Sequence, residues 1–163
     1  MLKVLVAIDG STHSKAAVDA ARVLASSTTA LRIFRVLPVP HATMQGGYAE
    51  VVWHYPGAPT SPMAPVALAE TRSQAMDRLR TETAERLEIV GRELRQTGSR
   101  VTCGVAFGDP AEEILNEAAG QGSDLVVVAS HGLSGLRELV LGSVAASLIR
   151  ARRLPVLVAP AAQ

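Results

Sequence analysis

Five short runs of aliphatic and β-branched residues punctuate the chain: KVLVAI at 3–8, ALRIFRVL at 30–37, RVTCGVAF at 100–107, DLVVVA at 124–129 and PVLVA at 155–159. The first, fourth and fifth are apolar on both faces. Strands of that kind belong in a parallel sheet covered by helices on each side, because neither face can be turned to water. Between the runs the apolar positions follow a helical period. Ala17, Ala20, Ala21 and Leu24 share one face, and Met76, Leu79, Leu87, Val90 and Leu94 share another that Thr83 interrupts. GDPAEEIL at 108–115 reads as a strand end passing into a helix, with Asp109 as N-cap, Pro110 at the first helical position and acidic residues in the first turn. The last helix, from about Ser143, is expected to bury Val144, Ala145, Leu148 and Ile149. It ends in RARR, where cations meet the negative end of the helix dipole.

Strands alternating with helices through right-handed crossovers predict an α/β fold, a doubly wound five-stranded parallel sheet of order 3-2-1-4-5 with helices on both faces. Strands 1 and 4 are then neighbours whose outgoing loops part in opposite directions, and ligands of such sheets settle in the crevice between them. The loops at that crevice are DGSTHS, from Asp9, and ASHGLSG, from Ala129.

One stretch departs from the alternation. Residues 38–65 hold six of the nine prolines, the single Trp53 and both tyrosines, Tyr48 and Tyr55. They are expected to form an irregular insertion after strand 2. It could be a lid or partner contact, or an insertion whose AEVVWHY merely packs on the surface.

Composition narrows the picture. With 163 residues, 48% of them hydrophobic and 3% aromatic, the chain suits one domain spanning 1–163 with an aliphatic core. Its net charge of +1 and scattered arginines give no footprint for nucleic acid. No window reaches the roughly 18 uninterrupted apolar residues of a membrane span, and MLKVLVAIDGS lacks a cleavage pattern. The lone Cys103 reads as a small buried hydrophobe and excludes an internal disulfide. Together these features predict a cytoplasmic protein.

The candidate chemistry lies in the two crevice loops. Gly132 and Gly142 flank nine residues and Ser143 follows, so free N–H groups at the start of the last helix can receive a phosphate, with hydroxyls from Ser143 and Ser130 beside them. A glycine turn followed by a Ser N-cap would look the same. Asp9 can accept hydrogen bonds from a ribose or cap the first helix; since Ser11 and Thr12 offer alternative caps, the ribose reading is favoured. Other sites fail on residue identity: there is no G-x-x-x-x-G-K-[ST], no G-x-G-x-x-G after strand 1, no G-x-S-x-G around Ser134 and no metal-binding histidine pair. His131, within the glycine loop, is placed to hydrogen-bond a phosphate or the backbone. No residue stands out as a general base.

VLVAIDGS, DLVVVASHG, LVLGSVA and PVLVAP, in this order and spacing, resemble the universal stress protein family over nearly the whole chain. Members of its nucleotide-binding branch show G-x-x-G-x(9)-G-[ST], matched here by Gly132, Gly142 and Ser143 but with Ala129 at the first position, where a methyl could crowd the phosphates or ribose. The resemblance implies that Asp9 holds the ribose, that the backbone near Ala7 and Val36 meets the adenine and that Val128 lines its pocket. Gly132, Gly142, Ser143 and Val144 would take the phosphates. It further implies ATP, AMP or ADP as ligand, Mg2+ or Mn2+ held by the phosphates, and a homodimer paired along residues 155–159. The expected function is a nucleotide-binding stress-response sensor or regulator. A slow ATPase or adenylyl-transferring enzyme, and a nucleotide-free module for an unknown protein partner, are the alternatives.

Overall fold

The computed structural model describes residues 1–39, 41–45, 48–52, 72–130 and 141–160, with side chains described except over 41–52. The chain runs β1 (Leu2–Ala7), α1 (Ser14–Leu24), β2 (Thr29–Leu37), β3 (His41–Gln45), β4 (Tyr48–Val52), α2 (Arg72–Arg95), β5 (Arg100–Phe107), α3 (Pro110–Gln121), β6 (Leu125–Ala129), α4 (Ser143–Ala151) and β7 (Val156–Ala159). Five strands form one parallel sheet, β5-β2-β1-β6-β7. This is the 3-2-1-4-5 order expected from the alternation, and each strand lies within one residue of its predicted limits.

The central strand explains why its sequence is apolar at every position. Val4 and Val6 enter a core with Ala17 and Ala21 of α1 and Leu87 and Leu94 of α2. Leu5 and Ala7 face the other way, into a core with Ile114 and Ala118 of α3 and Ala145 and Leu148 of α4. Leu5, Leu31, Ile33, Leu94 and Leu148 are fully buried, and each contributes about 1.5–3 kcal/mol by leaving water. Thr83 is also buried, so it continues the apolar stripe of α2 rather than breaking it.

The helix signals hold at α3. Asp109 accepts a hydrogen bond from the Glu112 N–H at 3.0 Å, and Gly122 closes the helix in the left-handed region. In α4 one expectation fails: Ala145 and Leu148 are buried and Val144 half-buried, but Ile149 is 45% exposed. The helix packs along its Ala145–Leu148 line, and one further residue turns about 100° away from it. Cys103 is half-buried rather than buried. Burial, followed by a hydrogen bond with Glu88, pushes its thiol up to about 11, so it carries no reactive thiolate at neutral pH.

The 38–65 segment is not wholly irregular. β3 and β4 pair antiparallel in a separate two-stranded sheet, with Gln45 opposite Tyr48. Gly46-Gly47 between two short runs is a hairpin signal, and the density of proline around it hides that signal. Trp53 and Tyr55 lie outside the described residues. Among the described residues no helix is long and apolar enough to cross a membrane.

Candidate functional site

The site begins where β1 and β6 end side by side, with Ala7 opposite Val128. Beyond Ala7 the chain turns toward α1 on one face of the sheet, and beyond Ala129 it leads to α4 on the other. In an open parallel sheet, two strands whose chains depart to opposite faces are where a ligand crevice is expected, at the carboxyl edge. Strand alternation sends Ala7, Val128 and Val36 to the same face, where they join one apolar cluster with Val144 of α4. Ala106, the register partner of Val36, belongs to it too. Sequence reasoning missed Ala106, which is recognisable only once the β2–β5 register is known.

Asp9, half-buried, organises the β1–α1 loop. Its Oδ1 accepts from the Ser11 N–H at 2.9 Å, from the Ser11 hydroxyl at 2.7 Å and from the Ser14 hydroxyl. The Asp9 N–H donates to Ser14 Oγ at 2.9 Å, which closes a ring between the two residues. Burial pushes the Asp9 carboxyl up, but the hydrogen bonds from Ser14 and Ser11 outweigh it and hold the group below the ordinary carboxylate value. Among the described residues Oδ2 accepts nothing. Of the two alternative caps, Ser11 Oγ accepts from the Ser14 N–H at 3.3 Å, while the residue at the cap position, His13, makes no side-chain capping bond. Ser14, buried and central to this loop, was not singled out from the sequence; a hydroxyl five residues after Asp9 carries no recognisable spacing signal.

On the side of α4 the N-cap is Gly142, which has no side chain to cap the helix, and the first turn carries no acidic residue. The Gly142 N–H already donates to the Ser130 carbonyl at 2.8 Å, and the Ala146 N–H to the Gly142 carbonyl at 2.9 Å. The donors that α-helix geometry leaves without an intrahelical partner are therefore those of Ser143, Val144 and Ala145. Gly142 has φ −54°, a conformation open to any residue, so glycine is not required there for its backbone. The Ser143 side chain is exposed and Ser130 half-buried, with the Ser130 N–H bonded to the Ala159 carbonyl at 2.8 Å. Ala129 packs its methyl against the α1/α2 core, the face opposite Val128 and Val144. His131 and Gly132 lie outside the described residues.

The model of the universal stress protein family matches residues 49–160. The chain belongs to the universal stress protein family. It is 34% identical over 160 residues, 96% of this chain and 97% of the relative, to universal stress protein YxiE of Bacillus subtilis. The fold is similar to that of universal stress protein MJ0577 of Methanocaldococcus jannaschii, with a TM-score of 0.76 at 22% identity over 99% of this chain and 97% of that one. A universal stress protein family member from Arabidopsis thaliana, solved with AMP bound, superposes with a TM-score of 0.61 at 18% identity, covering 99% of this chain and 93% of that one. Among the described residues, no group of three His, Cys, Asp or Glu could hold a metal ion.

Proposed function

We propose that the crevice binds an adenine nucleotide, ATP or AMP, and that the chain acts as a nucleotide-responsive regulator in the stress response, as a homodimer. The observation that carries this reading is the convergence of three unlike features at the sheet's switch point. There is an apolar floor of Ala7, Val36 and Val128, a carboxylate whose Oδ2 accepts nothing among the described residues, and a helix start whose N-cap, Gly142, has no side chain to occupy its N–H groups. A base, a ribose and a phosphate ask for these three chemistries in that order. A structural neighbour of the same family holds AMP, which supports the class of ligand. Ser143 and Val144 would receive the phosphates through their N–H groups, while Gly142 closes the neck of the loop. His131, Gly132 and Ser130 would complete the phosphate side by the motif spacing. A divalent cation, Mg2+ or Mn2+, would ride on the phosphates of ATP.

Dimerisation would use β7, an edge strand. The Pro155 and Ala159 carbonyls accept from Val126 and Ser130, so odd-numbered residues turn their peptide groups toward β6. Val156 and Val158 turn theirs outward, where an unpaired edge would otherwise invite aggregation.

Calorimetric titration with ATP, AMP and adenosine tests the reading. Wild-type protein should bind all three, and Val36→Phe, which fills the floor, should lose all three while still melting cooperatively. Equal affinities in the folded variant would move the base out of the crevice. Recovery of ADP from protein purified without added nucleotide and incubated with ATP would instead favour a slow ATPase.

A further inference from the structure

Arg35 sits near the end of β2, between Phe34, the register partner of Ala7, and Val36 of the crevice floor. Its guanidinium lies against the backbone of Gly10, the residue after Asp9. A Cβ built on Gly10 would fall 2.5 Å from Nη1, 2.7 Å from Cζ and 2.9 Å from Nη2. Gly10 has φ +80°, so this residue serves both the turn and the seat of the arginine. Nε of Arg35 is buried with no hydrogen-bond partner, the one such side-chain atom among the described residues. No described residue forms an ion pair with the guanidinium. Arg32, on the same strand, shows what a settled arginine looks like: it pairs with Glu117 at 2.8 Å and donates to the Cys103 carbonyl.

A guanidinium cannot shed its proton to relieve burial, and its fork of donors matches the oxygens of a phosphate. We infer that Arg35 is a specificity residue that receives a phosphate monoester on the ribose, at the 2′ or 3′ position, of the nucleotide bound in the crevice. This rests on the crevice reading above, in which Asp9 meets the ribose. Alternation along β2 sends Arg35 to the α1/α2 side of the sheet, opposite Phe34 and Val36, and from there it reaches the backbone one residue past that carboxylate, so its charge borders the Asp9 loop. The Asp9 carboxylate directs Oδ1 into the loop hydroxyls of Ser11 and Ser14 rather than to Arg35, which leaves the cation for the ligand. In dinucleotide folds a carboxylate binds the free ribose hydroxyl, or an arginine nearby accommodates a phosphate on it.

Titration of the full chain with AMP, adenosine 2′,5′-bisphosphate and adenosine 3′,5′-bisphosphate tests the assignment. One bisphosphate should bind about tenfold or more tightly than AMP, the worth of one charge-assisted contact, and the preferred isomer identifies the hydroxyl that is read. In Arg35→Gln the ratio of bisphosphate to AMP affinity should fall to near one. The preferred bisphosphate should raise the melting temperature of wild type more than AMP does, and this excess should vanish in the variant. Wild-type protein that binds AMP but neither bisphosphate more tightly overturns the role of Arg35 and leaves the crevice reading standing. The same ratio in Arg35→Gln as in wild type also overturns it, and binding of none of the three compounds overturns both.

Discussion

Ser14→Ala should loosen the β1–α1 loop by an amount that depends on pH. The change deletes an acceptor for the Asp9 N–H, at 2.9 Å, and a donor to the Asp9 carboxylate. A neutral hydrogen bond contributes about 1 kcal/mol and one to a charged group about 2 kcal/mol. Water can reach the half-buried loop and replace part of both, so the net loss should be about 2 kcal/mol at neutral pH. For a chain of this length that lowers the melting temperature by about 4–8 °C. The sign with pH follows from the lowered Asp9 pKa. Stability from a depressed carboxyl is fully present above its unfolded value, here 3.8, and is lost as the pH falls through the folded value. The variant has less of that contribution to lose, so the gap between the two proteins should narrow to about 1 kcal/mol in acid, where only the neutral bond still counts. Thermal denaturation of both proteins across that range, with the Asp9 carboxyl followed by NMR, measures it. A gap that stays constant from neutral to acid pH, or an Asp9 pKa that fails to rise in Ser14→Ala, would refute the assigned ring of hydrogen bonds.

Two further outcomes follow from side-chain and backbone direction. Ala129→Gly should leave ATP affinity within about twofold, since the methyl points into the α1/α2 core, while costing about 0.5–1 kcal/mol in the strand; a tenfold gain in calorimetry would mean that the methyl faces the ligand after all. Val158→Pro, whose N–H is directed away from β6, should keep the fold and yield a monomer in sedimentation at low micromolar concentration, whereas a persistent dimer would exclude pairing along β7.

The parallel sheet was legible because burial on both faces leaves a mark that no other strand environment leaves: LVVV and VLVA are apolar without alternation. Asp109, Pro110 and Gly122 likewise announce their helix by local chemistry. The shared face of Ala7, Val36 and Val128 followed from strand order and alternation. What escaped the sequence depended on direction rather than identity. Ala129 stands in a glycine motif, yet a strand's alternation decides which way its methyl points. Ile149 repeats the apolar period of α4, but a nine-residue helix packs along one line and leaves the rest outside. Arg35 reads as a polar residue on an ordinary strand, and only its seat on Gly10 and a buried Nε without a partner among the described residues set it apart.

Ser130 is held on both sides, its N–H by the Ala159 carbonyl and its own carbonyl by the Gly142 N–H. The chain that leaves at Ser130 thus returns to within one hydrogen bond of its starting point, whatever happens between. In polymer terms the ends of this span are already joined, so a ligand need not supply the entropy of bringing them together. Loop-closure entropy rises only logarithmically, at about 0.6 kcal/mol for each doubling of length. Residues could be inserted between Ser130 and Gly142 at nearly constant stability, which makes the length of this span a quantity that can vary among related chains without disturbing the sheet. The same freedom does not extend to the two residues at the neck, whose bond keeps α4 in place whatever the span above it contains.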